Sequence, residues 1–540
     1  MALTRDANGE EWGRLTEFKD PDGHTHSWSM PTALLAGDGN EYCGRLLEQG
    51  LNIWPGRNAR DGLHEYLTRC RPTARARAVT HIGWHGDVFV LPDATFSAEA
   101  ETEKTIYQSA ASITHHFAVR GTLESWRGEI AARCVGNSRL TFGVSVAFAA
   151  ALLNLTGDES GGFHIVGPSS LGKTTLLRVA GSAWGGGSSG YLRQWRATSN
   201  GIEGVAALHS DTLICLDEIA QVGAREAGEA AYMLANGQGK SRAKRDGSAR
   251  TPFTWRILFL SSGEISLADK IREDKRGRAT AGQQVRVLDI SADTSRFGLF
   301  ENLHGAASGQ EFADSLRAAT QRNYGTAARA FLSEIVKETQ RIADAIRRAQ
   351  GEFVSRNLPT GATEQVRRAA MRFGLIAAAG ELAGAFGTTG WESGIATDAA
   401  AVCFAAWLER RGHSGPAEIE AGIEQVRTFF ALHGASRFGT STDSGVDAHG
   451  RTVLNRAGFR RTDGSFCVFP EIYRSEITAG HDWRALADAL AVRSLLRRDS
   501  TGKARMPAAI WEPGSGRTIR MFVFEPSVVG EEVAGDEHEN

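Results

Sequence analysis

At 540 residues the chain is longer than one hydrophobic core usually serves, so two to four domains are expected. Hydrophobic residues at 41% and charged residues at 23% exclude a largely disordered chain. A formal net charge of -2, from 61 Lys and Arg against 63 Asp and Glu, excludes a global positive field, so any nucleic-acid surface must be local.

The polar start MALTRDANGEEWGRLTEFKD has no apolar core of the kind a signal peptide carries. Residues 1–125 read as an N-terminal α/β domain with short strand-like runs, such as Thr80–Asp93, between polar turns. The apolar run from Leu140 to Leu155 falls short of the roughly 20 residues a membrane span needs and reads as a buried helix. From 126 to 315 apolar strands alternate with helical stretches, the pattern of a parallel sheet covered by helices. Residues 316–415 are rich in Ala, Leu and Arg at helical spacing and form a helical subdomain. Residues 416–530 mix helices with two hairpin-like stretches, a winged-helix-like texture, and 531–540 is an acidic tail expected to fray. The six cysteines, Cys43, Cys70, Cys134, Cys215, Cys403 and Cys467, form no CxxC pair and no cluster at metal spacing. They read as reduced thiols of a cytoplasmic protein with no membrane partner.

The strongest local signal is Gly167-Pro168-Ser169-Ser170-Leu171-Gly172-Lys173-Thr174, a full match to GxxxxGK[ST] between the strand FHIV and the helix TTLLRVA. Glycines let backbone N–H groups turn inward around phosphate oxygens, and the helix offers its positive end to the same charge. These residues with Thr175 are the expected ATP-binding set. Lys173 would reach the β- and γ-phosphates, and the Thr174 hydroxyl would ligate Mg²⁺, an ion that takes few protein ligands beside phosphates. About forty residues on, TLICLDE runs an apolar strand into Asp217 and Glu218. There Asp217 would hold Mg²⁺ and Glu218 would act as general base on the attacking water. A third apolar strand, WRILFLSSGE, ends in Ser261 and Ser262.

These stretches, with WRATSNGIEGVAALHS, ANGQGKSRAKRDG and QQVRVLDI, resemble the domain-of-unknown-function family 927, and the likeness extends upstream through DGHTHSWSMP and GWHGDVFVLPD and on to about residue 415. Members of that family are described as helicases or helicase–primases of mobile elements. No room or acidic motif for a primase domain precedes the ATP-site region, so a primase or initiator would be a separate protein. The order of the ATP-site elements is also similar to that of superfamily 3 and AAA+ helicases, which implies a P-loop NTPase fold and three further roles. Ser262, or else Ser261, would be the residue that senses the γ-phosphate. The basic segment with Lys240, Arg242, Lys244, Arg245 and Arg250 would be a pore hairpin gripping single-stranded DNA, and its glycine-punctuated charge suits phosphate contact. Arg286, with Arg278 and Arg276 as substitutes, would reach a neighbouring subunit's ATP; a strand arginine paired with Asp289 is the plain alternative. The reading is therefore an ATP-dependent DNA helicase or translocase, forming a hexameric ring and replicating a mobile element. An ATP-driven loader or an origin-binding initiator is the alternative.

Overall fold

The computed structural model describes residues 1–529 except 7–8, 55, 99–102, 109–115, 187–190, 196–198, 240–241, 244–248, 251, 274–285, 412–416, 448 and 500–501. The expected acidic tail and the candidate residues Lys240, Lys244, Arg245, Arg276 and Arg278 lie outside the described residues. The chain divides into two compact units, Met1–Thr360 with Glu364–Gly412, and Gly361–Thr363 with His413–Asn540.

The first unit opens with β1 (Ala2–Arg5), β2 (Gly13–Lys19), β3 (Thr25–Pro31), β4 (Arg75–Val79), β5 (Gly83–His85), β6 (Val88–Val90), β7 (Thr95–Phe96) and β8 (Lys104–Tyr107). Five of these form a mixed sheet in the order β3-β2-β1-β4-β8, and β5-β6-β7 make a separate antiparallel sheet. The helices Asn40–Glu48 and Arg57–Arg69 join β3 to β4, and their apolar residues Tyr42, Cys43, Leu46 and Leu67 bury against Trp28 and Met30. The small β5–β7 sheet is keyed into the rest of the unit. Trp84 donates its indole N–H to the Ala151 carbonyl at 2.7 Å, and the Phe89 ring stacks on Trp184 at 6.2 Å.

Next comes a five-stranded parallel sheet, built from β9 (Gly161–Val166), β10 (Arg193–Gln194), β11 (Leu213–Asp217), β14 (Leu258–Gly263) and β15 (Val287–Ser291). Its spatial order is β10-β11-β14-β9-β15. β9, β11 and β14 are buried along their whole length, which is why they read as unbroken apolar runs instead of alternating ones. Between β11 and β14, β12 (Arg242–Ala243) and β13 (Ala249–Arg250) pair antiparallel as a hairpin. The base of that hairpin is tied by Gly239 N–H to the Phe253 carbonyl at 2.8 Å and Trp255 N–H to the Gly237 carbonyl at 2.9 Å.

One face of the parallel sheet is covered by the helix Ala224–Asn236 and the short helix Leu267–Arg272, through Leu234, Ile271 and Phe259. The Leu140–Leu155 run forms the helix Ser138–Ala149 and its continuation through Thr156. Together these 19 residues are long and apolar enough to cross a membrane, but 83% of that stretch lies buried inside the fold. Helices Gly309–Arg322, Thr326–Ile335, Thr339–Asn357, Glu364–Ala385 and Ile395–Arg411 complete the unit. Aromatic contacts such as Phe142 on Phe373 at 5.4 Å and Phe163 on Phe373 at 5.3 Å knit these helices to the sheet.

The second unit carries the helices Ala417–His433 and Trp483–Val492. Its strands are β16 (Phe438–Gly439), β17 (Gly458–Arg460), β18 (Phe466–Val468), β19 (Ala508–Glu512) and β20 (Arg517–Phe524), in the order β16-β17-β18-β20-β19. Phe430, Phe438, Phe466, Tyr473, Leu486 and Phe524 form its core. The helix Trp483–Val492 followed by the β19–β20 hairpin matches the succession a winged helix uses, although five strands exceed the small sheet expected for one.

Candidate active site

The C-terminal edge of a parallel sheet is where loops can gather chemistry, and here three strand ends meet there. β9 runs into the loop 167–172, which hands over to the helix Lys173–Ser182. Gly172 sits at φ +101°, and a side chain there would meet the Phe300 ring at 2.8 Å, so the loop has both a conformational and a steric need for glycine. Ser170 also holds a positive φ of 64°. The Lys173 ammonium donates to the Gly167 carbonyl at 2.7 Å and to the Pro168 carbonyl at 2.5 Å, folding back over its own loop. Burial draws its pKa down, while Glu264 and Asp217 oppose that shift.

β14 lies between β9 and β11, so the ends of all three strands converge. The Thr174 hydroxyl donates to Asp217 Oδ2 at 3.0 Å, and the Ser262 hydroxyl donates to Asp217 Oδ1. The residues expected to share Mg²⁺, Thr174 and Asp217, are therefore in direct contact. Among the described residues no group of three or more His, Cys, Asp and Glu side chains could hold a metal. Two oxygens alone are too few for Mg²⁺, and they fit an ion whose remaining ligands are water and phosphate oxygens.

Glu218 follows at φ 59° and ψ 66°, a left-handed conformation that a glutamate rarely adopts. This twist takes its side chain out of the strand's alternation and into solvent at the sheet edge. There it accepts a hydrogen bond from the Gln221 side-chain amide.

Ser261 and Ser262 are adjacent on β14 and point to opposite faces. Ser262 reaches Asp217. Ser261 instead bonds His164 Nδ1 at 2.9 Å and accepts from the Trp195 indole N–H at 2.7 Å. His164 Nε2 bonds the Ile265 carbonyl at 3.0 Å, which requires the proton on Nε2, and burial pushes the ring's pKa down to about 4. Ser261 is thus held in a buried, neutral network beneath the edge.

The cleft above these strand ends has a volume of about 780 Å³ and is lined by Ser169–Thr175, Asp217, Glu218 and Ser262. Sequence reasoning missed other residues of its wall: Gln221, Glu264, Phe297, Phe300, Gln310 and Arg317. Gln221 follows Glu218 by three residues and was within reach of a local argument. The last four belong to a loop and helix with no motif spacing. The packing of helix Gly309–Arg322 beside Lys173–Ser182 brings in Gln310 and Arg317, and the hydrogen bond from Leu299 N–H to the Leu171 carbonyl brings in the loop of Phe297 and Phe300.

Arg286 does not join this cleft. Five residues of β15 separate it from the phosphate-loop edge, about 16 Å of strand, so it lies at the opposite edge of its own sheet. Its guanidinium lies over the Tyr232 ring at 5.7 Å, and its carbonyl accepts from Arg372 at 2.8 Å. Asp289, the alternative partner, has a buried carboxylate oxygen, Oδ1, with no hydrogen-bond partner. Arg242 and Arg250 are backbone partners in the β12–β13 register.

Residues 1–254 match the family model described as domain of unknown function (DUF927), a stretch that includes the phosphate loop, Asp217 and Glu218. No curated protein matches the chain. Among solved structures, "SCCmec type IV Cch - active helicase" superposes with a TM-score of 0.70 at 15% sequence identity, covering 98% of this chain and 94% of that one. The NrS-1 C-terminal region matches at a TM-score of 0.22 and 10% identity, covering 58% of this chain and 77% of that one, and carries no argument. Residues 1–254 are thus similar to DUF927, and the chain shares its fold, nearly end to end, with that helicase structure.

Proposed function

We propose an ATP-hydrolysing motor on nucleic acid: a DNA helicase or translocase that assembles as a ring, in the cytoplasm, and serves a mobile element. The observation that carries this reading is the meeting of Lys173, Thr174, Asp217, Ser262 and Glu218 at one edge of the parallel sheet. The end-to-end fold likeness to a helicase supports it.

In this mechanism Lys173 leaves the Gly167 and Pro168 carbonyls and turns to the β- and γ-phosphates of ATP. Thr174 and Asp217 would hold Mg²⁺, which would neutralise growing phosphate charge. Ser262 holds Asp217 in place and stands where the γ-phosphate can be sensed. Glu218, released from Gln221, takes a proton from the attacking water. Arg286, remote from its own cleft, is suited to a neighbour's, where it would stabilise charge on the transferring phosphoryl. The β12–β13 hairpin would carry its basic residues against single-stranded DNA in the ring's pore.

Steady-state ATP hydrolysis measured with and without single-stranded DNA across a salt series, beside K173A, tests the proposal. Stimulation that fades with salt, and a loss of about 10²-fold or more in K173A, are expected. Hydrolysis that depends on Lys173 but ignores DNA would replace the motor with an ATP-driven loader or remodeller of proteins.

A further inference from the structure

We infer that Phe297 is the nucleobase platform of the cleft, so that the bound triphosphate is a nucleotide held at two separate points, its phosphates at Lys173 and its base on this ring. The inference rests on the reading of the cleft as a nucleotide site and adds the part of the ligand that no motif in the sequence addresses.

Phe297 is 50% exposed, although a phenylalanine that size is ordinarily buried, and it lines the same cleft as the phosphate loop. The second cleft phenylalanine, Phe300, is 2% exposed and packs edge-on against Phe312 at 5.1 Å, so its faces are already used. Phe297 is the one exposed aromatic among the described cleft-lining residues.

The loop that carries it is closed by its own hydrogen bonds. Phe297 and Phe300 exchange backbone hydrogen bonds at 3.1 and 3.3 Å. Thr294 N–H donates to the Gly298 carbonyl at 2.8 Å, and the Thr294 hydroxyl bonds the Gly298 and Phe300 carbonyls at 2.9 and 3.1 Å. The loop is also fastened to the phosphate loop itself: Leu299 N–H donates to the Leu171 carbonyl at 2.9 Å. Gly298, at φ +67°, comes so near that a side chain there would meet the same carbonyl at 3.0 Å. The ring is therefore held at a set offset from the phosphate-binding backbone, and a flat apolar surface already in place costs little ordering when a flat ligand covers it. Stacking on such a ring tolerates every base, because every base has a π-face. The site accordingly favours nucleoside triphosphates as a class over bare polyphosphate, with weak discrimination between bases.

The test is binding of ATP, GTP and inorganic tripolyphosphate to the full chain and to F297A, F297L and F297Y, by calorimetry or competition. F297A and F297L are expected to bind ATP and GTP about tenfold more weakly while tripolyphosphate binding stays unchanged, and F297Y is expected to keep wild-type affinity. F297L preserves apolar bulk without the ring, so it stands in if F297A does not fold. Unchanged ATP affinity in F297L, or an equal loss for tripolyphosphate, would overturn the platform. Wild-type protein that binds neither ATP nor tripolyphosphate would instead remove the underlying nucleotide-site reading.

Discussion

Two adjacent serines show how little separates a chemical role from a structural one. Ser262 touches Asp217 at the cleft, whereas Ser261, one residue earlier, closes a buried network with His164 and Trp195. Ser262→Ala is expected to lower ATP turnover with little change in thermal midpoint. Ser261→Ala is expected to leave His164 Nδ1 and the Trp195 indole without their partner, costing roughly 1–3 kcal/mol of stability while the cleft residues stay intact. Parallel melting curves and ATPase rates on the two variants check this, and a stability loss in S262A with none in S261A would reverse the assignment. From sequence either serine could have been the sensor, because a strand's alternation does not say which of its faces carries the site. The phosphate loop was legible for the opposite reason: its glycines, lysine and threonine are contiguous, so local backbone chemistry places them whatever the rest of the chain does.

At the scale of elements, the insertion of β14 between β9 and β11 is what joins Ser262 to Asp217, and the place of Arg286 just before the first residue of β15 is what parts it from its own cleft. Arg286 is half-exposed at the far edge of its sheet and lies over Tyr232, so in the proposed ring it would act on a neighbour's ATP and not on its own. Arg286→Ala is expected to retain ATP binding and lose hydrolysis by about 10³-fold or more, the range seen for trans arginines. Mixing R286A with E218Q, each inactive alone, is expected to restore part of the rate through composite sites. No recovery in the mixture, together with full activity of R286A alone, would return Arg286 to a structural role. The β12–β13 hairpin was implied by the resemblance to superfamily 3 helicases, while β10, only two residues long, gave little pattern to read. Helix Gly309–Arg322 begins before the expected helical stretch, and its first turns supply part of the cleft wall.

Across the first unit, Asp211 joins the N-terminal β5–β7 sheet to the foot of β11. Its carboxylate accepts from Trp84 N–H at 3.0 Å and pairs with Arg256 at 3.5 Å, at a φ of 56°. Burial pushes its pKa from 3.8 up to about 6, against the pull of the Trp84 N–H and of Arg256. A carboxyl whose folded pKa lies above its unfolded value holds its proton more tightly when folded. Its stabilising contribution is complete below about pH 4 and is lost as pH rises through 6. Melting temperatures taken between pH 4 and 7 are expected to show this decline in the wild type, and Asp211→Asn is expected to flatten it. An unchanged slope in D211N would mean that other groups govern that window.

The sequence by itself determined the glycine-rich loop between strand and helix, the acidic strand end and the alternation that makes a parallel sheet, because each rests on residues adjacent in the chain and on backbone geometry that neighbours dictate. It also carried the helical character of the stretch around 316–411, while the hairpin was implied by the resemblance to superfamily 3 helicases. Only the tertiary structure decided which serine faces Asp217, which edge of the sheet holds Arg286, and that Phe297, Gln310 and Arg317 line the cleft. Those facts depend on strand order and on the packing of loops and helices, which bring together residues far apart in the chain, 45 positions for Ser262 and Asp217, and leave no periodicity to read.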